Sequence, residues 1–228
     1  MKKATFLTAI LLLALARSAQ ADFVQTFTTG FANGGVIPDG SLTGWANTQT
    51  LSGAPTSISD VSVTLNLSGG WNGDLYAYLV HSSGFSVLLN RVGRETGNAP
   101  GYGTAGMSVT LNDLAALNIH SVLAPTAGGT YQPDGRNINP LSSVATFDST
   151  LPSTPLSSFN GLNANGNWTL FVADVSGGDV STVTSWGLDI ASVPEPASLV
   201  EGSVAVLFLG GVIGLYRLKG PKVQPQSC

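Results

Sequence analysis

Residues 61–67 read Val-Ser-Val-Thr-Leu-Asn-Leu, apolar and polar in strict alternation. Successive side chains of an extended chain point to opposite faces, so such a run is a strand with one buried side. The pattern recurs. Residues 75–80 and 85–89 read as a strand pair joined by a turn at Ser82-Ser83-Gly84, residues 168–172 alternate again, and Trp186, Leu188 and Ile190 share one face of a last strand. Gly, Asn, Asp, Ser and Pro separate these runs, the residues that turns require. One short helix is predicted, over Leu111–Leu117. Residues 124–143 and 149–166 are loop-rich and are expected to be the least regular parts. Many short strands with glycine-rich turns predict an all-β fold, an antiparallel jelly-roll sandwich.

The two ends have a different character. Residues 1–21 carry Lys2 and Lys3, an apolar run from Phe6 to Ala16 and an Ala19-Gln20-Ala21 cleavage site. This is the layout of a signal peptide, whose apolar run of about a dozen residues is too short to span a bilayer. The other end has Val193-Pro194-Glu195-Pro196, an apolar stretch over Leu199–Leu218, and the basic residues Arg217, Lys219 and Lys222. As a helix, these roughly 20 residues, with Glu201 near the outer end, reach about 30 Å, a membrane span, and the basic residues would hold the far end in the cytoplasm. The prolines keep residues 193–197 extended and outside that helix. The expected organisation is therefore a signal peptide (1–21), one domain (22–192) and a tail (193–228).

Between these ends, residues 22–192 hold ten Asp and Glu95 against Arg91, Arg94 and Arg136, a net charge of −8 with no lysine. A domain of that sign repels phosphate backbones, so no nucleic-acid partner is expected. Cys228 is the only cysteine, so the domain has no disulfide to hold it.

Several segments resemble the P domain, also called P/Homo B, a jelly roll found behind the catalytic domain of subtilisin-like proprotein convertases and bacterial proteases. The shared pieces are Ile37-Pro38-Asp39, Gly73-Asp74-Leu75, the run from Gly166 and Trp168 through Leu170 and Val172 to Asp174, and Trp186-Gly187-Leu188. The match extends over residues 31–191. Members often carry a His shortly before Gly-Asp-Leu; Gly69-Gly70-Trp71 stand there instead. In that family the serine-protease chemistry lies in a separate catalytic domain, so no enzyme activity is expected of these residues. The tail resembles the PEP-CTERM sorting signal of exopolysaccharide-producing Gram-negative bacteria. That resemblance implies recognition of Pro194-Glu195-Pro196 by an exosortase, transient membrane anchoring, and release to the cell surface or an exopolysaccharide biofilm matrix.

Candidate chemistry is sparse. Gly101-Tyr102-Gly103-Thr104-Ala105-Gly106 fits G-x-G-x-x-G but lies outside any βαβ unit, so it reads as a flexible loop. Leu151-Pro152-Ser153-Thr154 mimics a sortase box but is followed by Pro155. No G-x-S-x-G is present, and His81 and His120 read as surface residues. Asp74, Asp174 and Asp179 flank glycine turns, where backbone carbonyls and carboxylates converge on Ca²⁺; the other reading is that they cap turns. No other cofactor is expected. Three roles follow: a structural or adhesive module sorted to the surface or matrix, an accessory domain for a separately encoded secreted protease, or a carbohydrate-binding module stacking sugars on Trp45, Trp71 and Tyr102.

Overall fold

A computed structural model describes residues 22–192. The signal peptide, Pro194-Glu195-Pro196, the expected span at 199–218 and Arg217, Lys219 and Lys222 lie outside the described residues. Among those that are described, no helix is long and apolar enough to cross a membrane.

Nine strands form two facing sheets. They are β1 (Phe23–Phe27), β2 (Ser41–Leu51), β3 (Ile58–Gly69), β4 (Leu75–His81), β5 (Gly84–Asn90), β6 (Met107–Leu111), β7 (Gly129–Tyr131), β8 (Gly166–Asp174) and β9 (Ser181–Ser192). One sheet has the order β1-β9-β3-β6-β7 and the other β2-β8-β4-β5. All pairs are antiparallel except β6 with β7. The chain crosses repeatedly from sheet to sheet, which is the winding of the expected sandwich.

Alternation decides which side chains meet between the sheets. On β3, Val61, Val63 and Leu65 are fully buried, and on β9 so are Trp186 and Ile190, with Leu188 beside them. Leu75, Ala77 and Leu79 of β4 and Trp168, Leu170 and Val172 of β8 face them from the other sheet. Each large indole in this core has its N–H satisfied. Trp168 donates to the Ala164 carbonyl, Trp45 to that of Ala32, and Trp186 to the Asn47 side chain, each at 2.9 Å. A buried N–H without a partner would cost about 1–3 kcal/mol, so Asn47 is a polar core residue with a definite task.

Two expectations change. No helix forms at 111–117: β6 ends at Leu111, and the Asn112 side chain accepts the Leu114 N–H. That Asx turn competes with helix initiation. Asp113 is also occupied, its carboxylate accepting the N–H groups of Leu156 and Ser157. The helix that does form is α1 (Val144–Ser149), capped by the Ser143 hydroxyl on the Thr146 N–H. The second change is the Gly101–Gly106 segment, which is pinned rather than flexible. Tyr102 N–H donates to the Val92 carbonyl, and the Tyr102 and Thr104 carbonyls accept from Gly73 and Asn72. A Cβ on Gly73 would lie 2.6 Å from the backbone of Gly101 and Tyr102. The glycines there serve close backbone packing, not phosphate binding.

Candidate functional site

Ionisable side chains gather at two places, and a third holds His81 by itself. The first is the end of the four-stranded sheet where β8 finishes and β4 begins. Asp174 pairs in register with Leu75, and the Val175 N–H donates to the Asp74 carbonyl. Both carboxylates are thereby brought to one end. Asp74 binds the Arg91 guanidinium at 3.3 Å, while Arg91 Nε donates to the Gly73 carbonyl at 2.9 Å. Burial raises the Asp74 carboxyl, opposed by Arg91. Asp174 is fully buried; its Oδ1 accepts the Ser176 N–H and its Oδ2 has no partner. Burial, with the neighbouring Asp74 adding to it, pushes the Asp174 carboxyl up to about 6.

Of the residues put forward for Ca²⁺, Asp74 and Asp174 lie at this end of the sheet, and the charges of Asp179 and Asp39 act on Asp74. Among the described residues no three His, Cys, Asp or Glu side chains group so as to hold a metal ion. Asp74 is taken by a guanidinium, and Asp174 sits where its charged form is disfavoured. The β8–β9 turn is closed by a different carboxylate: Asp39, of the Ile37-Pro38-Asp39 motif, accepts the Gly178 N–H on both oxygens at 3.2 and 3.1 Å. Among the three, Asp174 accepts a turn N–H, that of Ser176, while the Asp74 side chain pairs with Arg91.

The second place is a triad of His120, Asp134 and Arg136 around the fully buried Asp134 carboxylate. His120 Nδ1 lies 2.6 Å from Asp134 Oδ2, and Arg136 Nη1 lies 3.2 Å from Asp134 Oδ1. An Asp–His pair is half of a hydrolase triad, in which the other ring nitrogen faces a nucleophilic hydroxyl. Here His120 Nε2 faces the Arg94 carbonyl at 3.3 Å. Arg94 in turn donates to the Ala99 and Ser142 carbonyls and lies over the Phe147 ring, 5.5 Å from its centre. The triad ties the turn at Ile119–Ser121 to the 132–136 connection, and His120 reaches the Arg94 carbonyl and the Phe147 ring of α1.

His81 forms the third. Its ring stacks on Trp168 at 4.1 Å and 3°, with Nδ1 2.9 Å from the Asn167 carbonyl and Nε2 2.6 Å from that of Asn163. Both histidines are therefore buried, at 3% and 4% exposure, not the surface residues expected. In each, both nitrogens already face an acceptor, so neither is presented as a base. Periodicity placed His81 at a strand end but says nothing about the 160s loop folding back over it.

Of the aromatics put forward for sugar stacking, Trp45 is core at 4% exposure, whereas Trp71 is 42% exposed. Tyr102 is half-buried, its ring over Gly93. A different aromatic row lies on the outer face of the four-stranded sheet. Tyr78 stacks on Phe171 at 4.7 Å, with Phe85 and Tyr76 at 5.4 and 5.9 Å. Gly44, at φ +58°, makes room: a Cβ there would lie 2.5 Å from the Phe171 ring. The irregular register between Ser41 and Trp45 falls at this point.

No family model and no curated protein matches the sequence. Among solved structures, the chain is similar to the Aeromonas sobria serine protease in complex with its chaperone (15% identity, TM-score 0.44, 78% of this chain and 28% of that one). It is similar also to the serine protease of Aeromonas sobria solved by itself (15%, 0.43, 76% and 27%). The chain thus spans under a third of the length of those proteins. Similarity at this level leaves function and partner open.

Proposed function

We propose that residues 22–192 are a non-catalytic β-sandwich domain that acts as an accessory module, docking on a separately encoded subtilisin-like protease and stabilising it. The observation that carries the non-catalytic part is the geometry of the two histidines: every ring nitrogen faces a carboxylate or a backbone carbonyl, and none faces a hydroxyl or thiol nucleophile. The protease partner is supported by the P-domain resemblance. Its shared residues fall at structural positions of the sandwich, with Leu75, Trp168, Leu170, Val172, Trp186 and Leu188 in the core and Asp39 closing a turn. The test is capture from the exported proteins of the producing cell with the full chain as bait, followed by labelling with a serine-hydrolase activity probe. The expected result is one labelled protease that co-purifies with the chain and inactivates more slowly on heating in its presence. Capture with no labelled hydrolase, or hydrolysis of a fluorogenic peptide by the chain alone that a serine-directed inhibitor abolishes, overturns it.

The proposed location rests on sequence. The chain is exported through residues 1–21, held in the membrane by 199–218, and cut near Pro194-Glu195-Pro196 by an exosortase, reaching the cell surface or an exopolysaccharide matrix. Intact mass of the native protein tests this. A mature form lacking the residues after the motif is expected; a form that keeps 197–228 and stays in the membrane contradicts it.

A further inference from the structure

The outer aromatic face is not bare. Asn90, fully buried on β5, donates from its amide to the carbonyls of Arg136 and Ile138, at 3.0 Å each. This holds the 137–140 segment as a wall beside the sheet. Leu42 of β2, 49% exposed, forms the facing wall. The floor between them is Tyr76, Tyr78 and Phe171, and the open groove measures about 430 Å³. That lies within the roughly 300–1,000 Å³ of small-molecule sites.

The polar groups of this groove are unused. The Tyr76 and Tyr78 hydroxyls and the Asn137 amide make no hydrogen bond among the described residues. Asn139 spends only its oxygen, on the Leu141 N–H. No charged side chain lines the groove. Aromatic carbon flanked by unpaired hydroxyls and amides, without a formal charge, suits a ligand with apolar C–H faces and a rim of hydroxyls. Nothing there neutralises an anion, and the net charge of −8 on residues 22–192 repels one. The floor is the face of a sheet, not its edge, so an extended peptide finds no backbone ladder to join.

We propose that this groove is a binding site for a neutral polysaccharide chain, with Tyr76 as the main contact and Asn137 as the hydrogen-bonding group. The site is distinct from Trp45, Trp71 and Tyr102, and it is independent of the protease reading.

The test titrates the full chain with maltohexaose, cellohexaose and mannohexaose by calorimetry, following the tyrosine ring protons by NMR. An alginate hexamer and a proline-rich decapeptide are run alongside. Saturable binding of at least one neutral hexaose is expected, with shifts of the Tyr76 and Tyr78 ring signals. Tyr76→Ala should weaken it at least about tenfold, or about 1.4 kcal/mol, and Asn137→Ala about threefold. Trp71→Ala should leave it unchanged. Asn137 is exposed, so its variant keeps the test valid if the Tyr76 variant misfolds. The proposal fails if no neutral hexaose binds, if both groove variants bind as the native chain does, or if the alginate or the peptide binds more tightly than every neutral sugar.

Discussion

The strands and the long connections of this domain are held by different forces. Between the sheets, β3, β4, β8 and β9 meet through apolar side chains, and the indole N–H groups of Trp168 and Trp186 each have one partner there, the second being the buried Asn47 side chain. Around the sandwich, residues 91–106 and 112–165 are fastened by buried polar groups: Arg91 on Gly73 and Asp74, Arg94 on Ala99 and Ser142, the His120–Asp134–Arg136 triad, and His81 on Asn163 and Asn167. The contrast is instructive. Apolar burial is non-directional and tolerates adjustment. A buried ion or imidazole is satisfied only in one arrangement, so it fixes where a loop must go. All three arginines and both histidines of residues 22–192 are engaged in this way.

Four substitutions separate the two kinds of holding, in order of expected effect. Trp168→Ala strikes both, removing core volume and the ring under His81 and Phe159. It should cost about 4 kcal/mol, read as the denaturant midpoint of the full chain. Asp134→Asn should cost about 3 kcal/mol, because it takes from Arg136 its counter-charge and from His120 the buried carboxylate its ring faces; a loss no larger than that of a surface change would break the contrast. His81→Phe keeps a ring on Trp168 but removes the ring nitrogens that face the Asn163 and Asn167 carbonyls. About 2 kcal/mol is expected, and thermal melting reads it.

The smallest effect is a pH dependence. The Asp174 carboxyl is raised to about 6 by burial, above its unfolded value of about 3.9. Between those values the folded chain binds more protons than the unfolded one, so this group makes stability fall as pH rises from about 4 through about 6 and level off above. Asp174→Asn should retain the Ser176 contact through its amide oxygen and flatten that part of the profile. A variant that loses stability over this range as steeply as the native chain contradicts the assignment.

The sandwich was legible where alternation was complete. Val61 to Leu67, Leu75 to Val80 and Trp168 to Val172 announce their buried faces residue by residue, and β3, β4 and β8 contain them. β1 is not legible in that way: in Phe-Val-Gln-Thr-Phe the middle three residues are exposed on an edge strand, and the pairing with β9 is what makes it a strand. The helix reading of 111–117 failed because Asn112 and Asp113 hold backbone N–H groups with their side chains. α1 is too short for a period to show, and only its Ser143 cap marks it. The polar fastenings were invisible for a plainer reason. His120 and Asp134 are 14 residues apart and His81 and Asn167 86 apart, and no local pattern relates such partners. The outer aromatic row has a weak signal, Tyr76 and Tyr78 two apart on β4, but only the pairing of β4 with β8 sets Phe171 beside Tyr78.

That buried polar groups fix the course of the connections is tested most directly by hydrogen exchange on the native chain and on Asp134→Asn. The Ile119, Gln132 and residue-134 amides are bonded to the Gln132, Leu117 and Leu88 carbonyls, across the connections that the triad holds. They should exchange many-fold faster in the variant, while the β3 and β9 amides exchange in both only at the rate of global unfolding. If those three amides stay as protected as in the native chain and the midpoint is unchanged, Asp134 is not holding the connections, and the buried Asp–His pair has some other purpose.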